Sequence, residues 1–156
     1  MVDKRVLPPE ELGTRLADVY AVIGPLYRRV GRLVEQQAPP GLPIGVRAVL
    51  EYLVRTGEAA AVPRMARDLA LSRQFVQRMV NEALEGGHVA LKPNPAHRRS
   101  SLVEPTDSGR EAINAVLRHE QEAMGQVGGD LTEDEVAATV RVLRHMLAGL
   151  GEVDMG

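Results

Sequence analysis

The sequence predicts a mainly α-helical chain with one small β-hairpin, in which amphipathic helices flank a compact centre. Three observations carry that expectation. Apolar residues recur in alternating steps of four and three near both ends, the spacing of a helix seam that packs against another helix. Aromatic residues make up only 3% of the chain while 44% is hydrophobic, so a core has to be built from Leu, Val, Ala, Ile and Met. Two short β-type runs in the middle enclose a polar, proline-bearing segment, as in a hairpin with its tip. A length of 156 residues suits one compact domain, or one module with appended helices.

The first seam is Leu12, Leu16, Val19, Ile23, Leu26, Val30 and Leu33. Pro25 interrupts it and is expected to kink the helix or break it in two. Pro39, Pro40, Gly41 and Pro43 then end the first helical region. A second helix is expected over Ile44 to Thr56, with Val46, Val49, Leu50 and Leu53 on one face and Gly57 placed to stop it. Val62-Pro63 reads as an extended step into a very short helix that reaches about Ala70. Ser72 is a natural N-cap for the next helix, which runs to Glu85 and ends at Gly86-Gly87.

Val89 to Lys92 and Leu102 to Glu104 read as strands, joined by the tip Pro93 to Ser100. Thr106 can cap a long helix to Val127, stopped by Gly128-Gly129. Thr132 and Glu135 have the spacing of a capping box, with Leu131 and Val136 as its hydrophobic staple. The last helix carries Val136, Val140, Leu143, Leu147 and Leu150, again in steps of four and three. Seams at both ends suit packing within one subunit and pairing with a second copy equally well.

Composition removes several function classes. With no cysteine in the chain, disulfides, thiolate metal sites and thiol redox sensing are excluded. No apolar run is long enough to cross a bilayer, and the N-terminus lacks a signal-peptide pattern, so a soluble cytoplasmic protein without a membrane partner is expected. No catalytic constellation is present, and no cofactor or metal is implied. His119-Glu120 lacks the second histidine of a zinc-protease motif, and Gly125, Gly128 and Gly129 do not form a phosphate loop.

The formal net charge of −2 is unevenly distributed. Between Arg64 and Arg99, Arg64, Arg67, Arg73, Arg78, Lys92, Arg98 and Arg99 outweigh Asp68, Glu82 and Glu85, a net +4. From Glu120 onward the balance is −6. A basic middle and an acidic tail point to one face meant for an anion.

Ala59 to Arg99 has the layout of a winged helix-turn-helix: two short helices joined by Leu69-Ala70-Leu71-Ser72, then a hairpin. On a helical projection of the second helix, Val76, Met79, Val80 and Ala83 share one face. Gln74, Gln77, Arg78, Asn81 and Glu85 lie broadly opposite. Glutamine and asparagine can pair bidentately with adenine, and arginine with guanine. Ser72, Arg73 and the free backbone N–H groups at the helix start suit phosphate oxygens.

The stretch Val62-Pro63-Arg64-Met65-Ala66-Arg67-Asp68-Leu69-Ala70-Leu71-Ser72-Arg73-Gln74, with Val76-Gln77-Arg78-Met79-Val80-Asn81 and Gly86-Gly87, resembles the MarR (multiple antibiotic resistance regulator) family. So do the wing Asn94-Pro95-Ala96-His97-Arg98-Arg99-Ser100 and the following Thr106-Asp107-Ser108-Gly109. The resemblance implies a winged helix-turn-helix core over residues 41–105, flanked by dimerisation helices over 1–40 and 106–156. It implies a homodimeric repressor that binds a pseudo-palindromic duplex DNA site with half-sites about 10 bp apart, relieved by a small-molecule effector. The DNA-binding positions it implies are Arg73, Gln74, Gln77 and Arg78 on the helix and Arg98 and Arg99 on the wing. Ser72 at the helix start, Asn81 on the outer face and His97, a polar anchor or a solvent-exposed histidine of the wing, complete the candidate set.

Three positions depart from the family pattern. Ala96 stands where many relatives carry an aspartate that fixes the wing arginine. Phe75 stands where a small or polar residue is common, and packing at the helix flank is its expected role. His88 stands where an apolar residue often closes the turn. Tyr20, Tyr27 and Arg47 lie in segments that border an effector cleft in such proteins, with ordinary packing the simpler role for each. The rival expectation, favoured by the acidic surplus, is a winged-helix protein-interaction module that does not bind DNA.

Overall fold

The computed structural model describes residues 6–37 and 42–153. Pro39, Pro40 and Gly41, expected to end the first helix, lie outside the described residues. The chain divides into two compact units, Met1–Ala38 and Pro39–Gly156. No helix among the described residues is long and apolar enough to cross a membrane.

The first unit is one helix, α1, Pro9–Gln37. Glu10 and Glu11 occupy its first turn, where carboxylates meet the positive end of the helix dipole. Of the kink or break expected at Pro25, the break does not occur: the helix is continuous through it. Part of the clash between a proline ring and the preceding residue falls on that residue's Cβ. Here that residue is Gly24, which has none.

The second unit runs α2 (Ile44–Thr56), α3 (Val62–Asp68), α4 (Arg73–Glu85), β1 (Val89–Pro93), β2 (Ser101–Pro105), α5 (Asp107–Val127) and α6 (Glu133–Val153). Gly57 ends α2 in the left-handed region, φ 68°, its N–H donating to the Leu53 carbonyl. The extended step before α3 falls at Ala60-Ala61, two residues earlier than expected. Ala61 is the extended N-cap, and Ala60 forms an antiparallel bridge with Val103. α3 also stops at Asp68, short of Ala70. Ala70 has φ 53°, and the Leu71 N–H donates to the Ala66 carbonyl, so the chain turns sharply into α4.

β1 and β2 pair antiparallel, with Val89 opposite Pro105 and Pro93 opposite Ser101. They therefore extend to Pro93, Ser101 and Pro105, beyond the expected limits. In a two-stranded ribbon each strand has a free edge, which accommodates a residue without an N–H. Thr106 caps α5 by accepting from the Gly109 N–H, and its hydroxyl donates to the Gly87 carbonyl. At α6, Glu135 Oε2 accepts from the Thr132 N–H and the Glu135 N–H donates to Thr132 Oγ1. Those bonds, led by the Thr132 backbone N–H, hold the Glu135 carboxyl below its ordinary pKa. The expected staple is not buried: Leu131 and Val136 are 63% and 49% exposed.

The core of this unit is aliphatic. Val46, Val49, Leu50 and Leu53 of α2 are buried with Met65 of α3, Val76 and Val80 of α4, Val103 of β2 and Ile113 of α5. Burying a side chain of this kind contributes about 1.5–3 kcal/mol. Two glycines set how closely the elements meet. A Cβ at Gly45 would stand 2.8 Å from Met79 Cγ, and one at Gly109 would collide with the His88 carbonyl oxygen. The start of α5 is thereby seated on the α4–β1 turn.

Candidate nucleic-acid interface

α4 is divided as its sequence requires. Val76, Met79, Val80 and Ala83 are buried, while Gln74, Gln77, Arg78, Asn81 and Glu85 are all exposed. The helix start is fixed by Ser72, whose Oγ accepts from the Phe75 N–H at 3.2 Å. On the outer face, Gln77 Nε2 donates to Asn81 Oδ1 at 2.9 Å. The Arg78 guanidinium lies over the Phe75 ring, 4.8 Å from its centroid. Phe75 is thus more than a flank-packing residue: it is 39% exposed and carries a cation.

The wing loop is held by a residue that the pattern of charges did not single out. Asn94 Oδ1 accepts from the Ala96 N–H at 3.0 Å, and Asn94 Nδ2 donates to Ser100 Oγ at 2.8 Å. Ser100 Oγ also donates to the His97 carbonyl. A short polar side chain that bonds the backbone two residues on is a standard turn former, which is the signal available in Asn94-Pro95-Ala96. At the wing's base, Lys92 pairs with Glu104 at 2.9 Å.

A groove of about 670 Å³ runs between α3, the start of α4 and the wing, lined by Arg64, Arg67, Arg73, Asn94, His97 and Arg99 among others. It brings Arg73, His97 and Arg99 together and adds Arg64 and Arg67, which counted in the sequence only as charge. Arg98 is not among its lining residues; it is exposed on the wing. Among the described residues, Arg73, Arg78, Arg98 and Arg99 have no carboxylate within ion-pair distance, whereas Arg64 pairs with Glu58 and Asp68, and Arg67 with Asp68. Within the basic segment from Arg64 to Arg99, the uncommitted cations therefore sit on α4 and the wing.

Two polar ties brace this face. The Tyr52 hydroxyl donates to Asp68 Oδ2 at 2.8 Å, joining buried α2 to the end of α3. That bond, followed by Arg67, holds the Asp68 carboxyl below the usual carboxylate range despite some opposing burial. Burial and the Asp68 bond push the Tyr52 phenol up. Arg47 donates to Glu120 at 2.6 Å and lies 3.6 Å from Glu51, tying α2 to α5. His88 is half-buried with its Nδ1 unpartnered. Tyr20 and Tyr27 are exposed on α1.

No family model matches the chain. A MarR-family transcriptional regulator from Silicibacter pomeroyi has a similar structure, with a TM-score of 0.71 and 20% identity over 93% of this chain and 96% of that one. The transcriptional activatory protein BadR of Rhodopseudomonas palustris is 32% identical over 150 residues, 94% of this chain and 84% of BadR. The chain belongs to the MarR family of transcription regulators. In a MarR-family frame, α3 and α4 are the helix-turn-helix and β1–β2 is the wing. Another similar structure is BpsR of Bordetella bronchiseptica, whose DNA binding is regulated by 6-hydroxynicotinic acid. It has a TM-score of 0.64 and 22% identity over 83% of this chain and 98% of that one.

Proposed function

We propose that this MarR-family DNA-binding regulator acts as a homodimer on a pseudo-palindromic duplex, as a repressor relieved by a small-molecule effector. The observation that carries the reading is the continuity of base-reading side chains on α4 with uncommitted cations on α4 and the wing. α4 enters the major groove, where Gln74, Gln77 and Arg78 meet base edges and Asn81 lies on the same face. Arg73, His97 and Arg99 receive phosphate oxygens at the groove beside α3 and Ser72 does so at the start of α4, with Arg64 and Arg67 adding to the local field. Arg98 reaches the adjacent minor groove, whose narrow A·T-rich stretches attract cations.

The dimer rests on the terminal helices. Leu26 on α1 and Val140, Leu147 and Leu150 on α6 are exposed despite their seam spacing. Residues 1–40 and 106–156 are assigned to dimerisation and 41–105 to DNA binding. The effector rests on the likeness to BpsR. BadR is named as an activator, so the direction of control is itself an outcome of the test.

The deciding experiment is selection of bound fragments from a random duplex pool at near-physiological salt, on protein whose dimeric state is verified in the same sample. Enrichment of an inverted repeat is the expected result. A folded dimer that enriches no motif would move the assignment to a protein-interaction module. A reporter carrying the selected operator then separates repression from activation.

A further inference from the structure

We propose that Phe75 and Asn81 are specificity-determining positioning residues, which hold Arg78 and Gln77 in the poses that read a G·C and an A·T pair. The inference rests on the DNA-reading function above and deepens it. Phe75 lies three residues before Arg78, and Asn81 four residues after Gln77, so each pair occupies neighbouring positions on one helix surface. Both contacts are made: Arg78 over the Phe75 ring at 4.8 Å and Gln77 Nε2 to Asn81 Oδ1 at 2.9 Å.

Arg78 has an alternative that it does not take. Glu82 stands one turn further on at ion-pair spacing, yet no Arg78–Glu82 pair lies within 4.0 Å among the described residues. Long side chains on a helix lean towards its N-terminus, and in that direction the guanidinium meets the half-exposed ring. A cation–π contact within about 6 Å of the centroid is attractive and consumes no N–H donor. The fork that guanine O6 and N7 require therefore stays uncommitted. The backbone that carries the ring is fixed, because the Phe75 N–H is bound by the Ser72 cap.

The Gln77–Asn81 bond divides the work of two amides. Adenine requires one acceptor for its N6–H and one donor for its N7. Gln77 keeps its carbonyl oxygen and a second N–H after bonding to Asn81. The Asn81 oxygen gives one of its two lone pairs to that bond and is drawn towards Gln77, while its free N–H groups suit phosphate or a base acceptor. Asn81 thus serves Gln77 and does not duplicate it.

The test compares wild type, Phe75→Leu, Phe75→Tyr, Asn81→Ala, Arg78→Ala, Gln77→Ala and the double variant Phe75→Leu/Arg78→Ala. Each is measured against the operator selected by wild type, all its single-base variants and a random duplex, with a thermal melt alongside. Phe75→Leu is expected to relax the preference roughly two- to fivefold at the base pair that Arg78→Ala relaxes, with random-duplex binding unchanged. Phe75→Tyr, which keeps the ring, retains the preference. In the Arg78→Ala background Phe75→Leu has no further effect, and Asn81→Ala relaxes the position governed by Gln77.

Uniform weakening on all duplexes, effects at other base pairs, or additive single effects would overturn the proposal and leave Phe75 and Asn81 as packing or phosphate residues. If Phe75→Leu melts early, the Phe75→Tyr comparison and the Asn81→Ala arm still decide. A wild type that selects no motif overturns the DNA-reading function, and this proposal with it. A wild type that selects one while the variants keep its preferences overturns this proposal alone.

Discussion

A methyl group at position 109 would collide with the His88 carbonyl oxygen and stand 3.1 Å from Leu50 Cδ2. The oxygen cannot retreat, because it accepts from the Thr106 N–H at the junction of β1 and α5. Gly109→Ala is therefore expected to destabilise the fold by about 3 kcal/mol or more. Gly13, on α1 with nothing within 4 Å of its added Cβ, should show the opposite sign. There Gly13→Ala removes unfolded-chain entropy and stabilises by about 0.5–1 kcal/mol. Thermal melts of the two variants check both signs. Arg98→Ala belongs to the same scale but to binding. With no folded-state partner to lose, it should leave the melting temperature unchanged. If Arg98 meets a phosphate, the slope of log affinity against log salt becomes shallower by about one unit; an unchanged slope would remove that role.

Among the elements, the α2–α3 tie sets a pH dependence. The folded state holds the Asp68 carboxyl below its ordinary pKa, chiefly through the Tyr52 hydroxyl. The stability this supplies is present above the ordinary aspartate value of about 4. It is lost as pH falls through the depressed folded value. Tyr52→Phe removes the main cause, so it should cost about 1 kcal/mol near neutrality, with the partly exposed carboxylate limiting the loss. The gap should close as pH falls below 4, which urea midpoints across a pH series would reveal; a gap independent of pH would assign the loss to packing. This tie was not legible in the sequence, because residues 52 and 68 are brought together only by the packing of α3 on α2. What was legible depends on local chemistry. The Ser72 and Thr106 caps, the Thr132–Glu135 box and the inner face of α4 follow from residue type and spacing alone. The errors fall where a neighbour intervenes. Gly24 relieves the proline that was expected to kink or break α1, which stays continuous, and Ala70 ends α3 by adopting a conformation its residue type does not announce. The residues proposed to face DNA were readable as an outward polar face, but the contact of Phe75 with Arg78 and the hold of Asn94 on the wing required coordinates.

For the whole molecule, charge and apolar exposure divide the labour along the chain. The net +4 between Arg64 and Arg99 and the net −6 from Glu120 onward give a polarised charge distribution, which orients a protein as it approaches an anionic duplex. Affinity for a two-part site requires more, since one recognition helix covers only one half-site. Coupling two modules raises avidity by roughly 10²–10⁴ over one alone, and the exposed Leu147 and Leu150 of α6, at 65% and 62%, are where that coupling can be broken without entering the core. The double variant Leu147→Asp/Leu150→Asp places carboxylates on a seam that the proposed dimer buries, while the buried residues of α2, α3 and α4 are untouched. It should sediment as a monomer, retain its helical circular dichroism and lose roughly 10²-fold or more in affinity for the inverted repeat. Its affinity for an isolated half-site should match that of wild type. A variant that stays dimeric would take α6 out of the interface. A monomer that binds the full repeat as tightly as wild type would show that the two recognition helices are not coupled, and the geometric reason for a pseudo-palindromic operator would go with it.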